Sequence, residues 1–201
     1  MITPRPAFSA VAASQPAPRA VVAAPVPVGL GEIRVSHRPA DVLIADGLGA
    51  CIALCARDPV ARICGMAHLV LPQAPAGPGE EETRAACFAD QGVPWLLEAL
   101  TRDGALVERL RFALVGGAEL SGGGDDAACY LGKRNTLAVI RALQERQMRL
   151  AAHDVGGAFG RVCQLFVSDG RVLVRAIGAG GEAEERALVV LGTPIAGVQR
   201  S

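Results

Sequence analysis

The stretch Cys51-Ile-Ala-Leu-Cys-Ala-Arg-Asp-Pro-Val-Ala-Arg-Ile-Cys-Gly-Met-Ala-His-Leu-Val70 decides the fold. Residues 51–57 are a short, mostly apolar run, and 62–70 are a second one. Between them Asp58-Pro59-Val60-Ala61 supplies a turn, with proline fixing φ where a type I turn wants it. The pattern predicts one tight antiparallel hairpin. A turn closed by Asp58 and Ala61 sets Cys51 opposite His68, and Cys55 opposite Cys64. Directly opposed residues share a sheet face, with Cβ atoms roughly 4.5–5.5 Å apart. A thiol and an imidazole at that separation are a candidate nucleophile and base. A bulge, for instance at Gly65, would displace them.

Upstream, 33–36 and 41–46 read as strands. Gly47-Leu48-Gly49-Ala50 is a glycine-bearing turn leading directly into Cys51. The backbone N–H groups of Gly49 and Ala50 are candidate donors to a developing oxyanion. Downstream, 73–83 is a Pro/Gly/Glu connector or a flap. Residues 85–103 read as helical, with Pro94 at a break or in the first turn of a second helix and Gly104 as a stop. A strand over 110–115 ends in Gly116-Gly117-Ala118, followed by a Gly-rich loop over 121–126. An amphipathic helix spans 135–149, with Leu137, Ile140, Leu143 and Met148 roughly on one face. A strand over 150–155 closes at Gly156-Gly157. Residues 162–167 and 172–177 form a second hairpin across Ser168-Asp169-Gly170-Arg171. The last twenty or so residues are weakly patterned and read as peripheral. Hairpins dominate, so the expected class is α+β, a layered α/β sandwich rich in antiparallel hairpins.

Prolines at 4, 6, 16, 18, 25 and 27 interrupt the Ala/Val-rich beginning of the chain. They forbid a helix and break any apolar signal-peptide core. The expected organisation is a disordered Pro/Ala-rich tail over 1–29, a folded domain over 30–190 and a flexible C-terminal tail over 191–201. The tail is given no catalytic role.

Of the 201 residues, 51% are hydrophobic and 20% charged, which places the chain among globular proteins. Only 3% are aromatic, so Ala, Val, Leu and Ile must build the core. Net charge is zero and no basic stripe is seen, which argues against nucleic acid as the main ligand. No apolar run reaches the roughly 18 residues a membrane span needs. The six cysteines (51, 55, 64, 87, 129 and 163) lack the regular spacing of a secreted disulfide scaffold. Free buried thiols and a cytoplasmic location are expected.

Cys51, Cys55, Cys64 and His68 also have a metal-like spacing. Positions four apart on a strand are about 13 Å apart, however. Tetrahedral zinc needs each ligand within about 2.0–2.3 Å. No metal and no cofactor are therefore expected. Cys55 and Cys64 read as packed apolar residues, with a redox role as the lesser reading. Cys51 and His68 suit acyl transfer, in which a thiolate attacks an amide or ester carbonyl and imidazolium protonates the leaving group. The pattern alone does not separate a protease from an amidase or a deamidase. A catalytic Cys51 is expected to alkylate faster than the other thiols, through a stabilised thiolate.

Five segments in order resemble the chemoreceptor glutamine deamidases, the CheD family. They are Gly47-Leu-Gly-Ala-Cys51 with Arg57-Asp-Pro-Val60; Met66-Ala-His68-Leu-Val-Leu-Pro72; Gly116-Gly117-Ala118; Leu131-Gly132-Lys133-Arg134-Asn135 at a helix start; and Asp154-Val-Gly156-Gly157 with Arg161. The resemblance runs from about Glu32 to Ile177. It implies a layered α/β sandwich and hydrolysis of particular glutamine side chains on methyl-accepting chemotaxis receptors, giving glutamate and ammonia. Cys51 would be the nucleophile and His68 the general base and acid, with Asn135, Asp154 and Arg161 in supporting roles. Read from the residue alone, Asn135 is a helix N-cap, and Arg161 either meets an acidic receptor surface or pairs with Asp154. The resemblance further implies docking with a CheC-type phosphatase. Two positions depart from the pattern. Ala45 stands where the family usually carries the threonine of its catalytic set, and Ala50 where it carries serine. They imply a weaker enzyme or a drifted substrate. The alternative is a catalytically weak or inactive binding module for a CheC-type phosphatase or a receptor helix.

Overall fold

The computed structural model describes residues 23–75, 86–119, 130–177 and 185–192. Ten strands and two helices follow in the order β1 (Ala24–Pro27), β2 (Ile33–Ser36), β3 (Asp41–Leu48), β4 (Ile52–Asp58), β5 (Ile63–Leu69), α1 (Ala89–Arg102), β6 (Arg111–Gly116), α2 (Leu131–Gln144), β7 (Leu150–Val155), β8 (Gly160–Phe166), β9 (Arg171–Ile177) and β10 (Glu185–Val190). They build two mixed five-stranded sheets, one ordered β1-β3-β8-β9-β10 and the other β2-β5-β4-β6-β7. The parallel pairs are β1 with β3 and β6 with β7; the others are antiparallel. The fold is an α+β sandwich of three layers, helices on sheet on sheet.

Residue alternation explains the layering. On β4, Ile52, Leu54 and Ala56 join a core with Val93, Leu96 and Leu100 of α1 and Val139 and Leu143 of α2. Ala53 and Cys55 point the other way, into a core with Leu43, Cys163, Leu165 and Val174 of the second sheet. Both faces are covered, so all seven positions of β4 and of β5 are buried, the polar Arg57, Asp58 and His68 among them. Gly65 introduces no bulge: it pairs regularly with Ala56. A Cβ there would lie 2.9 Å from both Leu96 and Leu100, so glycine is what lets α1 lie close on β5.

The hairpin forms as expected, but its register differs by two residues. Asp58 pairs with Ile63 and Ala53 with His68. The loop is longer because the Asp58 carboxylate, rather than a two-residue turn, organises it. Asp58 Oδ1 accepts the N–H groups of Val60 and Ala61, and Arg62 takes a left-handed φ of 58°. The shift separates Cys55 from Cys64. Cys64 lies opposite Arg57, and the Cys55 sulfur lies 3.5 Å from that of Cys163.

Other boundaries also moved. β1 lies inside the stretch read as a tail. Its prolines alternate with residues that bond inward: the N–H of Ala24 reaches Ala40 O and that of Val28 reaches Ile44 O, at 2.7 Å each. Pro25 and Pro27 fall between these donors, at edge positions where no N–H is required. At the other end β10 pairs with β9, and Leu191 is buried with Arg57 Nη1 on its carbonyl. Residues 185–191 thus add an edge strand and acceptors for Arg57, so the described part is peripheral but ordered. Pro94 sits inside α1 without ending it. α2 begins four residues earlier than expected and ends five earlier. The rest of the 1–29 and 191–201 tails, most of the 73–83 connector and the 121–126 loop lie outside the described residues.

Candidate active site

Cys51 immediately precedes β4, half-buried beside the inter-sheet core. His68 projects from β5 and is 1% exposed. With Ala53 opposite His68, Cys51 and His68 are diagonal neighbours on the same face rather than directly opposed. Diagonal Cα atoms are roughly 7–8 Å apart, within reach of a long side chain.

The backbone around Cys51 is gripped at three successive carbonyls. Ala118 N–H donates to Gly49 O at 2.8 Å and Gly117 N–H to Cys51 O at 2.8 Å. Between them Asn135 Nδ2 donates to Ala50 O at 2.8 Å and, on the other side, to Val70 O at 2.9 Å. Asn135 is therefore not a helix cap. It lies in the second turn of α2 and ties the residue before the thiol to the residue after β5. Gly116 has φ 119°, and a Cβ on it would collide with Cys51 O, so only glycine fits. The Gly156-Gly157 turn joins the same cluster: Gly156 N–H bonds Gly116 O, and Glu119 N–H bonds Gly157 O. Asp154 Oδ1 accepts from Arg161 Nε and Nη2, and its Oδ2 accepts from Arg186 at 2.6 Å. Arg161 thus pairs with Asp154 and belongs to the framework. Of the two oxyanion candidates, Gly49 spends its N–H on Gly47 O at 2.8 Å. No carbonyl among the described residues accepts from Ala50 N–H.

His68 Nδ1 lies 3.1 Å from Val28 O. A carbonyl only accepts, so Nδ1 carries the proton and Nε2 presents a lone pair. That Nε2 is buried with no hydrogen-bond partner among the described residues. Burial pushes the imidazole below its ordinary range, while the Val28 carbonyl acts in the opposite sense. Burial likewise pushes the Cys51 thiol up, against its own backbone N–H. Both directions favour the neutral thiol and the neutral imidazole over an ion pair, the opposite sense to the stabilised thiolate expected from the sequence. The physical reason is that burial removes part of the solvation each charged form would need.

Ala45, fully buried in the inter-sheet core, offers no hydroxyl to the imidazole. Asp46 is exposed and accepts the N–H of Gly47 instead. The orienting group is the Val28 carbonyl, which sequence reasoning missed because any residue type carries one. The alternation of Pro25 and Pro27 was the available hint that this stretch belongs to a sheet. No group of three His, Cys, Asp or Glu able to hold a metal ion occurs among the described residues. None of the described helices is long and apolar enough to cross a membrane.

A family model described as CheD chemotactic sensory transduction matches residues 70–176. Among curated proteins, the chain is 46% identical over 154 residues to the probable chemoreceptor glutamine deamidase CheD of Symbiobacterium thermophilum, covering 76% of this chain and 93% of that one. It is 36% identical over 157 residues to the chemoreceptor glutamine deamidase CheD of Thermotoga maritima, covering 78% and 95%. A probable chemoreceptor glutamine deamidase CheD of Archaeoglobus fulgidus is 36% identical over 155 residues, covering 77% and 94%. A segment that long in a chain of 201 residues takes in both Cys51 and His68. Three relatives of nearly full length, together with a matching family model, show that this chain belongs to the CheD family.

Proposed function

We propose that the protein hydrolyses glutamine side chains on methyl-accepting chemotaxis receptors in the cytoplasm, with Cys51 as nucleophile and His68 as base and acid. The substrate class follows the names of the relatives. The mechanism rests on one observation, the unpartnered lone pair of His68 Nε2 on the face that carries Cys51.

His68 Nε2 takes the S–H proton as sulfur attacks the carboxamide carbon. Ala50 N–H, which no carbonyl among the described residues accepts, is the proposed donor to the oxygen that gains charge. The imidazolium returns its proton to the amide nitrogen, ammonia leaves, and a thioester remains. His68 then takes a proton from water, whose oxygen attacks the thioester. Glutamate and the free thiol are released. Because burial disfavours both charged forms, the proton moves with the attack rather than before it. Asn135 fixes the spacing between the two strands, and the Asp154–Arg161 pair supports the Gly156-Gly157 turn behind the site.

The test is mass spectrometry of a receptor co-expressed with this chain. Target glutamines should gain the mass that converts an amide to an acid, and Cys51→Ala and Cys51→Ser should abolish the gain. Deamidation by both variants at the parental rate would refute the mechanism. Ala45 favours a second reading, a binding module for a CheC-type phosphatase or a receptor helix with little turnover. Iodoacetamide separates the two: alkylation of Cys51 that His68→Ala slows supports the catalytic pair, and alkylation insensitive to His68 supports the module.

A further inference from the structure

Residues 28–32 hold His68 on three sides. Val28 O accepts from the ring, Gly31 N–H donates to His68 O at 2.9 Å, and His68 N–H donates to Glu32 O at 3.0 Å. The segment is itself closed into a turn, with Glu32 N–H on Gly29 O at 3.0 Å. One further bond changes its meaning. The peptide group whose carbonyl is Val28 O has Gly29 N–H at its other end, and that N–H donates to Glu32 Oε2 at 3.0 Å.

These contacts form a continuous chain from carboxylate to peptide N–H, peptide C=O, imidazole Nδ1–H and the free Nε2. A carboxylate on the N–H end of an amide drives electron density to its oxygen, which strengthens the bond that oxygen accepts. In a catalytic triad a carboxylate sits directly on the imidazole N–H, fixes the tautomer and supports the imidazolium. Here a peptide group stands between carboxylate and ring. The only other charged partner of Glu32 among the described residues is Arg34, at 3.0 Å.

We propose that Glu32 is a positioning residue for His68, acting through the Val28–Gly29 peptide group in place of a side chain touching the ring. The inference rests on the proposed use of His68 as base, and it supplies the third member that Ala45 does not. The Glu32 side chain is about one-third exposed, so replacing it leaves the core intact.

The full-length chain with 15N-labelled histidine tests this without reference to activity. At about pH 8, where an ordinary imidazole is neutral, the native His68 should carry its proton on Nδ1. Glu32→Ala should weaken that bond, seen as an upfield move of the Nδ1 proton or as a mixture of tautomers. Glu32→Gln keeps an acceptor for Gly29 N–H and should restore the native tautomer. In receptor deamidation, Glu32→Ala should lower kcat by roughly 10-fold with KM unchanged. Glu32→Gln should recover most of it, and Arg34→Ala should match the parent. A native proton on Nε2, or identical His68 spectra in the parent and Glu32→Ala, would overturn the inference. The expected spectral changes in a parent protein that shows no deamidation would instead count against the proposed function and leave the positioning role standing.

Discussion

At His68 the surroundings set a testable pH dependence. Burial holds the folded imidazole below its ordinary pKa, so the base form persists further into acid than usual. With His68 as the proposed base, the rate falls only once Nε2 is protonated. The acid limb of kcat/KM should therefore have its midpoint below about 6.5, the value for a free imidazole. A midpoint at or above that value would mean that the ring is hydrated or paired with a negative charge. Linkage gives the sign for stability: the unfolded chain binds the proton more readily, so His68 contributes stability above its unfolded pKa. That contribution declines as pH falls through about 6.5. That Cys51 and His68 share a sheet face was legible from spacing and turn. Their diagonal placement was not, since it depends on how many residues the Asp58 loop uses. Nor were Val28 and Glu32, whose influence runs through a peptide group.

The same loop shows how one side chain sets an element. Asp58 has no exposed surface, yet its carboxylate is ionised. Burial opposes the charge, but Arg109 and the N–H groups of Leu106, Ala61 and Val60 overcome it and hold the pKa at about 2. Arg109 donates twice to Oδ2, and Leu106 N–H once, so the carboxylate joins the β4–β5 loop to the segment before β6. Its stabilising effect is present above the unfolded carboxylate pKa of about 3.9 and is lost as pH falls toward 2. Asp58→Asn should cost about 2 kcal/mol near neutrality. In urea melts the gap to the parent should narrow between about pH 4 and pH 2; a constant gap would show that the charge is not what matters. Elements with strong patterns, such as β6, β7 and the β8–β9 hairpin, could be read directly. The starts of β1 and α2 could not, because prolines hid one and no side-chain cap marks the other.

At the scale of the molecule, the α+β sandwich followed from hairpin count and apolar alternation, while the pairing of sheets did not. Sheet order joins strands distant in sequence, such as β3 with β8, which no local pattern encodes. Asp154 is one place where the two sheets are latched, since β7 supplies the carboxylate and β8 and β10 the guanidinium groups. Asp154 and Arg161 are nearly buried, whereas Arg186 is largely exposed. Asp154→Ala should lower stability by about 2–3 kcal/mol because Arg161 is left uncompensated. Arg186→Ala should cost under about 1 kcal/mol, as for a surface pair. Equal losses in chemical denaturation would contradict this reading of the latch.

The alternating prolines of β1 carry one more consequence. They line the outer margin of a five-stranded sheet, where a foreign extended chain would look for hydrogen donors. At Pro25 and Pro27 it would find none. The arm that cradles the imidazole therefore also leaves that rim barren, and the sheet cannot readily recruit another strand there and grow into fibrils.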